Sequence, residues 1–450
     1  MTKNSTDSLN SLFANALHTQ RDFSAPALNK AQHCLTDFLA CVYSTGHFPW
    51  VENARQVALQ NSVTLQGGAP ILGSHKRVSV QDAAFVNAVA GHSLIRDDMH
   101  LGSVSHLGVV VIPAALALAE LNTITGKKLL EAIVCGYEAG GTLGGMLMDV
   151  ETAKKIRPTG LIGAYAAAAT GACLFDLDVN ETANALGLAT NYFTGLNEWA
   201  NWGSEDMYSH PGIGVRNGIT AVMLAKQGAS AAAGSLEGKA GLFAAFGKKI
   251  PESPSLPFAN TEEILQVFFK QVPACNYAQT AAQTAAHIGS KIADKSAVQE
   301  VIVDVPHAAA HYPGCDFSGP FTSILQARMS IQFNVASAIL NGDFNDSHYQ
   351  DFNNPGIREL ADKVTVKIDP ALTSAYPTKQ GAAILILTDT GEYREHLDDV
   401  IGADTEEVES RYLSAATTIH GQDKAKSLLE EIRSLKSRPD LKALLTMLAN

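Results

Sequence analysis

The chain has 450 residues, of which 46% are hydrophobic and 17% charged, and its formal net charge is −12. The acidic balance, together with the lack of long lysine or arginine runs, excludes a nucleic-acid-binding protein and a protein that binds an anionic membrane surface. A chain of this length and apolar content is expected to form roughly two to three globular domains.

The first half of the chain, residues 8–250, has the apolar spacing of helices, with runs rich in alanine and glycine at 164–172 and 219–233. Small residues at this density indicate helices that pack closely together. Helix breakers at Gly67-Gly68, Pro158 and Gly212 mark the joints between helices. We therefore expect a compact all-helical domain here.

The pattern changes after the proline- and serine-rich stretch 251–257, which is typical of a domain crossing. Runs of β-branched residues at 298–305, 363–369 and 382–388 predict strands, and helical patterns at 322–340 and 356–362 lie between them. Residues 405–448 return to helical spacing and are expected to pack back on the first domain. The predicted fold is mainly α, with a large helical domain of residues 1–260 completed by 405–450 and a smaller α+β domain of residues 261–404.

Targeting and redox signals are absent from the sequence. Residues 1–10 are polar, which predicts a cytosolic protein, and the most apolar segment, 109–118, is too short to span a bilayer. The six cysteines form no Cys-x-x-Cys pair, which argues against a zinc knuckle or a disulfide framework. We expect most of them to be buried thiols.

Acid and base groups are densest in residues 91–108, which contain Arg96, Asp97, Asp98, His100 and His106. The segment lies between helical patterns at 81–90 and 109–120, so it is predicted to be a loop fixed at both ends. Loops held by a scaffold commonly carry proton-transfer chemistry. The six-residue spacing of the two histidines fits no common metal motif, and no metal is predicted.

Motifs in collinear order along most of the chain carry a resemblance to a known family. They are the run Asp82 to His92, Asp97-Asp98, His106, the run Pro113 to Glu120, the run Ala132 to Glu138, Arg157-Pro158-Thr159-Gly160, His210-Pro211-Gly212, Lys270 ahead of Pro273, and Gln326 to Ser330. Together they resemble the MmgE/PrpD family, which comprises 2-methylcitrate dehydratases, cis-aconitate decarboxylases and an iminodisuccinate epimerase. The resemblance implies a helical domain, an α+β lid, a homodimer, and a cleft that handles small polycarboxylates without a metal or organic cofactor.

Three positions depart from the family pattern. Ile95 stands where the family carries an extra carboxylate, Arg157 where it carries a histidine, and Met207 where it carries a lysine. Two proton-transfer groups and one acid of the decarboxylase pattern are therefore replaced.

His106 is the first candidate for the acid/base, because a histidine titrates near neutral pH. Asp97 or Asp98 is expected to assist it, with one of the pair in the site and the other structural, as a helix cap or a partner of Arg96. His210 is a second catalytic candidate, at the predicted start of a helix, where the dipole favours an anion.

The remaining candidates are residues that would hold substrate carboxylates. Arg157 is a permanent cation suited to bidentate binding. Lys270 and Arg328 are expected to add cations from the lid, and Arg96 and Tyr208 are further candidates for substrate binding.

These residues support one main hypothesis and three alternatives. The main hypothesis is a cofactor-independent lyase of the 2-methylcitrate dehydratase type, which removes a proton alpha to a carboxylate. The alternatives are an epimerase of an iminodisuccinate-like dicarboxylate, a cis-aconitate-type decarboxylase, and a non-catalytic binding protein on the same fold.

Overall fold

The computed structural model describes residues 8–20, 22–61 and 68–449. Residues 1–7, part of the segment in which the sequence shows no targeting signal, lie outside the described residues. Within the described ranges the protein is mostly helical, as predicted. No helix among them is long and apolar enough to cross a bilayer.

The first half of the chain forms twelve helices in the described residues. They are α1 (Leu9–Thr19), α2 (Ala25–Ser44), α3 (Pro49–Asn61), α4 (Val80–His92), α5 (Gly108–Ala119), α6 (Gly126–Leu147), α7 (Val150–Lys155), α8 (Pro158–Leu174), α9 (Val179–Ala189), α10 (Trp199–Trp202), α11 (Asp206–Lys226) and α12 (Leu242–Ala245). Three short strands interrupt them: β1 (Ala69–Pro70), β2 (Arg77–Val78) and β3 (Met99–His100). The expectation of an entirely helical first half is corrected to that extent.

The second half mixes helices with the remaining strands. The strands are β4 (Val267–Phe268), β5 (Val298–Val305), β6 (Val364–Ile368), β7 (Ala382–Thr388) and β8 (Gly391–Leu397). The helices are α13 (Gln279–Gly289), α14 (His307–His311), α15 (Ile324–Met329), α16 (Ile331–Asn341), α17 (Ser347–Gln350), α18 (Pro355–Ala361), α19 (Pro370–Ala375), α20 (Thr405–His420), α21 (Gln422–Arg433) and α22 (Lys442–Leu448). Short 3₁₀ helices lie at Glu263–Gln266, Asn276–Ala278, Lys295–Ala297 and Leu435–Ser437.

Four of these strands form one sheet in the order β6-β5-β7-β8. β5 pairs parallel to β6 and antiparallel to β7, and β7 pairs antiparallel to β8. The three predicted strands are confirmed as β5, β6 and β7. β8 was not predicted, because its sequence GEYREHL alternates charged and partly buried residues at an exposed edge and offers little apolar pattern.

The core of the helical part is built on α8, which packs against α5, α6, α9 and α11. Nearly every residue of α8 is buried, so the helix shows no polar face. Close packing depends on small residues: a Cβ on Gly218 would lie 2.5 Å from the carbonyl oxygen of Ala164. From the C-terminal segment, α20 packs against α2.

Two contacts bring the dense segment 91–108 against the second half of the chain. β3 pairs antiparallel with β4, with Met99 opposite Phe268. The imidazole Nε2 of His100 lies 2.8 Å from a carboxylate oxygen of Glu263. The loop is therefore fixed by both halves of the protein.

Candidate active site

The dense segment forms a loop between α4 and α5, as the sequence predicts. The Ser79 hydroxyl caps α4 by accepting from the backbone N–H of Asp82, and α4 ends at His92. Ile95 and Val104 within the loop have positive φ values of 54° and 52°, a conformation that branched residues adopt at a cost in energy. The loop is thus held in a shape that its own sequence does not favour.

Two histidines meet one carboxylate in this loop. The Nδ1 of His92 lies 2.8 Å from Oδ2 of Asp97, and the Nδ1 of His106 lies 3.1 Å from the same oxygen. The two imidazole rings are 5.0 Å apart between centroids. All three side chains are buried.

Hydrogen bonds define the protonation of both imidazoles. The Nδ1 of His106 lies 2.9 Å from the backbone oxygen of Asp98, which can only accept, so this nitrogen carries the proton. The Arg157 guanidinium donates to Nε2 of His92, so in that ring the proton is also on Nδ1. His106 therefore has an unprotonated Nε2 available as a base.

The pKa values agree with a carboxylate flanked by neutral imidazoles. Burial lowers the pKa of His92 to about 3. Burial also lowers the pKa of His106, although Asp97 raises it. Burial alone would raise the pKa of Asp97, but its interactions with His92 and His106 hold that pKa well below the ordinary value.

Asp98 points away from this cluster. Its Oδ1 accepts from the backbone N–H of Gly108 at 3.0 Å, and its Oδ2 accepts from the Tyr137 hydroxyl. Burial raises the pKa of Asp98 to about 6. A Cβ at Gly108 would lie 2.8 Å from both Asp98 Oδ1 and the Tyr137 hydroxyl oxygen, so this contact needs glycine. The two adjacent aspartates thus have separate environments.

Arg157 carries a buried cation beside the histidines. Its backbone N–H donates to the carbonyl of Gly195 at 2.8 Å, and its guanidinium lies 5.5 Å from the ring centroid of Trp199. The Nε and Nη1 atoms are buried and have no hydrogen-bond partner among the described residues. A buried cation with unpaired donors destabilises the protein unless an anion neutralises it and accepts hydrogen bonds from those donors.

A small cavity of about 40 Å³ lies between the two halves of the chain at this point. Typical small-molecule sites have roughly 300–1,000 Å³, so the two halves or the side chains of the wall must shift to admit a substrate. The first half contributes Ile95, Met99, Val104, His106, Arg157, Trp199 and Met207, and the second half contributes Cys275, Asn276, Tyr277, Tyr312 and Met329. The wall is mostly apolar, with one base and one cation.

Lys270 holds the catalytic loop in place through a hydrogen bond to the loop backbone. Its side chain is fully buried, and its ammonium group donates to the carbonyl oxygen of Ile95 and lies 3.4 Å from that of Ala274. Burial lowers its pKa, and its charge lowers the pKa of His106. Lys270 is not among the residues that line the cavity, so its predicted contact with a substrate carboxylate stays a prediction.

His210 lies inside α11, in contrast to the predicted place at a helix start. α11 begins at Asp206, a full turn earlier, and continues through Pro211. The sequence indicated a later start because Pro211 and Gly212 are breakers in most helices. His210 packs on Gly195, which also lies next to the Cβ of Arg157. Burial, and after it the charge of Arg157, lowers the pKa of His210 to about 4. It is not part of the cavity wall.

Three further candidates also lie outside the cavity wall. Arg328 donates to the Ser93 carbonyl and pairs with Asp346. The ring of Tyr208 stacks on Trp50 at 4.3 Å between centroids. Arg96 points to a separate cleft on the other side of the loop.

His92, Asp97 and His106 have the composition of a metal-binding set. Each can offer one ligand atom, and the three atoms lie within 4.8 Å of one another. Two imidazoles and a carboxylate suit a divalent transition metal. However, the Arg157 cation is bonded to His92 and opposes a second cation there, and hydrogen bonds already account for the arrangement of the three side chains.

The sequence-based prediction did not include His92 or the cavity residues of the second half. His92 could have been found, because it ends the helical pattern five residues before Asp97 and belongs to the family motif. Cys275 ends the family motif that begins at Pro273, so it could also have been found. Tyr312 carries no local signal, since only the packing of the two halves brings it to this cavity.

Comparison with known proteins covers both sides of this cavity. A family model described as the MmgE/PrpD N-terminal domain matches residues 13–253, and one described as the MmgE/PrpD C-terminal domain matches residues 272–437. The cavity thus lies where the two matched regions meet.

Curated relatives are more distant. A cis-aconitate decarboxylase-like protein of Aspergillus oryzae is 28% identical over 215 residues, which cover 46% of this chain and 44% of that protein. A cis-aconitate decarboxylase of Aspergillus terreus is 27% identical over 228 residues, which cover 49% of this chain and 46% of that protein. The matched region therefore spans less than half the length of either fungal relative.

A mouse cis-aconitate decarboxylase is similar over a longer region. It is 24% identical over 389 residues, which cover 81% of this chain and 78% of that protein. The first family model alone matches more than half of the chain, and the second follows it in the expected order. The chain belongs to the MmgE/PrpD family.

Proposed function

We propose that the protein is a lyase that removes water from a small di- or tricarboxylate, beginning with loss of a proton alpha to a carboxylate. The observation that carries the proposal is that one cavity is lined by both a base and a cation. The base is the unprotonated Nε2 of His106, and the cation is the buried Arg157, two of whose nitrogens have no hydrogen-bond partner among the described residues. The family membership and the lyase names of the curated relatives are consistent with it.

In this mechanism Arg157 binds a substrate carboxylate through its unused guanidinium donors. Binding at Arg157 places the neighbouring C–H beside Nε2 of His106. His106 takes the proton, and the imidazolium that forms is stabilised by the Asp97 carboxylate 3.1 Å from Nδ1. The charge that develops on the substrate carboxylate lies next to the guanidinium of Arg157, which stabilises it. The C–O bond at the beta carbon then breaks as the His106 imidazolium returns its proton to the leaving hydroxyl, so that an alkene and water form and Nε2 is again unprotonated.

The protonation of His106 favours dehydration over decarboxylation. Burial lowers the pKa of His106, so the imidazole starts as a base. Dehydration begins with proton removal, whereas decarboxylation first releases CO₂ and then needs a proton donor for the carbanion. The replacements Arg157 and Met207 also remove two side chains of the decarboxylase pattern.

Epimerisation is the second candidate, because the cavity holds another proton-transfer group. Cys275 lines the same cavity as His106, and its thiol lies 3.6 Å from that of Cys315. This hydrogen bond lowers the pKa of Cys275. An epimerase needs one group to remove the alpha proton and another to return it on the opposite face.

The proposal extends to the architecture. Residues 1–260 with 405–450 would form the catalytic domain, and residues 261–404 would act as a lid whose residues Cys275 to Tyr277 and Tyr312 close the cavity. A homodimer and a cytosolic location remain predictions from the sequence.

Proton NMR in deuterium oxide tests the proposal with citrate-like, aconitate-like and aspartate-derived acids as substrates. An alkene product formed with loss of water supports dehydration. Deuterium uptake at the alpha carbon without an alkene shows epimerisation, and release of CO₂ shows decarboxylation; either result would replace the dehydratase proposal. Binding of these acids without turnover of any would indicate a binding protein.

A further inference from the structure

A second, open cleft of about 1310 Å³ lies on the other side of the catalytic loop. Ile95 lines the active-site cavity, whereas its neighbours Leu94 and Arg96 line this cleft. Elements from both halves of the chain complete it, among them Phe344 and Arg411. The two spaces are therefore separated by little more than the thickness of the loop.

The cleft is cationic in a protein of net charge −12. Its lining includes Arg55, Lys76, Arg96 and Arg411, with Asp346 as the one acidic side chain among the lining residues. Asp346 is already paired with Arg328. Among the side chains that line the cleft, cations thus outnumber acids.

Two of these arginines are paired and one is not. Arg55 is bonded to Glu52, and Arg411 is bonded to Glu407. Arg96 has no hydrogen-bond or ion-pair partner in the part of the chain that the structure describes, and its Nε is buried. A guanidinium in this position has free donors on the cleft side.

Arg96 and Arg411 act on each other as like charges. Burial lowers the pKa of Arg411, and the charge of Arg96 lowers it further. The charges of Glu407 and Asp37 oppose this effect, but burial raises the pKa of Asp37 to about 7 and it bonds to neither guanidinium. The hydroxyl of Tyr43, a residue 4% exposed that lines the same cleft, also has no hydrogen-bond partner.

We propose that this cleft binds a small anion with two or more carboxylate or phosphate groups, held between Arg96 and Arg411. Such an anion neutralises Arg96, accepts hydrogen bonds from its free donors, reduces the repulsion between Arg96 and Arg411, and accepts from the Tyr43 hydroxyl. The large free volume accommodates a ligand bigger than the substrate of the active site.

The cleft is connected to the active site by short chains of contacts. Arg411 donates to the backbone oxygen of Lys270 at 2.9 Å, and the ammonium group of Lys270 donates to the backbone oxygen of Ile95. Arg96 directly precedes Asp97, which holds both histidines. An anion in the cleft therefore contacts two residues that each position the catalytic loop, and it regulates the loop through them.

Isothermal titration calorimetry at constant ionic strength tests the site, with pyrophosphate and citrate as separate probes. We expect saturable binding to the wild-type protein, a loss of about 10-fold or more in affinity in Arg96→Gln, and unchanged cleft binding in Arg394→Gln, which removes an exposed arginine elsewhere. Tighter binding of pyrophosphate supports the proposal with a phosphate ligand, and tighter binding of citrate supports it with a carboxylate ligand.

Arg157→Gln separates this site from the active site. Binding in the cleft should survive Arg157→Gln, whereas citrate binding in the active-site cavity should not. The proposal is overturned if neither probe binds the wild-type protein saturably, or if Arg96→Gln binds both probes like the wild type. Hydrogen exchange adds a readout that needs no variant: pyrophosphate or citrate should protect residues 94–98 and 410–419 of the wild-type protein, and unchanged exchange in both segments contradicts the proposal.

Discussion

The Nδ1 of His106 lies 3.1 Å from Oδ2 of Asp97, and the other nitrogen of the same ring has no hydrogen-bond partner among the described residues. A histidine held in this way by a carboxylate is ready to accept a proton at Nε2. We therefore expect His106→Ala to reduce kcat by about 10²- to 10⁴-fold, the usual contribution of a positioned acid/base. Turnover of the substrate identified by NMR is the measurement, with the exposed His311→Gln as the control. Full activity of His106→Ala would remove His106 from the mechanism.

The pH dependence of kcat/KM follows from the lowered pKa of His106. Because the neutral imidazole is the active form, the acid limb should lie below the ordinary histidine value of about 6.5. Asp97 raises the pKa of His106 against burial, so Asp97→Asn should move this limb to still lower pH while kcat falls. A pH–rate profile of both proteins checks the shift. A limb that moves to higher pH in the variant would contradict the assigned pairing.

Arg157 is expected to act mainly in substrate binding. Arg157→Gln removes the cation while it keeps a donor near His92, and KM should rise by about 10- to 100-fold as a charge-assisted bond is lost. Arg157→Lys should restore little, because an ammonium group lacks the planar donor pattern. Steady-state kinetics of both variants, with Arg394→Gln as the control, provides the test. An unchanged KM in Arg157→Gln would place the substrate elsewhere.

Tyr137→Phe tests the environment of Asp98. The hydroxyl of Tyr137 lowers the pKa of Asp98 against burial, so its loss should raise that pKa above about 6. Loss of a buried hydrogen bond to a carboxylate costs about 1 to 3 kcal/mol. The hydrogen bond from Tyr137 stabilises the ionised form of Asp98. Tyr137→Phe should therefore lower the free energy of unfolding more at pH 8 than at pH 5. Urea unfolding at these two pH values measures it, and the Tyr393→Phe control should show no such trend.

His210 should make the folded protein sensitive to acid. Its pKa is about 4 in the folded state, whereas the unfolded chain takes up the proton near pH 6.5. As the pH is lowered from about 6.5 to about 4, the free energy of unfolding should therefore decrease through this group by about 1.4 kcal/mol per pH unit. His210→Asn removes this pH-dependent contribution, so the difference in unfolding free energy between pH 7 and pH 4.5 should be smaller in the variant than in the wild type. An equal difference in both proteins would show that His210 is protonated in the folded state.

The fold followed from the sequence where one pattern dominated a long stretch. The helices on either side of the catalytic loop and the strands β5, β6 and β7 lie within one or two residues of the predicted positions. Shorter or mixed patterns were missed. β8 alternates at an exposed edge, and the start of α11 was hidden because Pro211 is tolerated inside that helix.

The site was predictable only where its residues share one stretch of chain. His106 and Asp97 are nine residues apart and lie together as expected, and Arg157 was identified from the family motif and lies beside them. Arg96 and Arg328, which were proposed from their charge to bind substrate, do not line the cavity, and that role stays a prediction. Direction depends on loop backbone and on the packing of both halves, which spacing along one chain does not encode.

The β-branched side chain of Ile95 does not suit the backbone conformation that this residue adopts. A φ of 54° suits glycine, asparagine or aspartate far better than a β-branched side chain, and such a residue costs about 1 to 3 kcal/mol. The family resemblance implies a carboxylate at this position, and an aspartate would adopt the same backbone with less strain. Ile95 lines the cavity, so Ile95→Asp would relieve the backbone but place a carboxylate in an apolar wall, and we expect it to alter substrate preference. A single amino-acid change at this position thus alters both the strain of the catalytic loop and the polarity of the cavity wall.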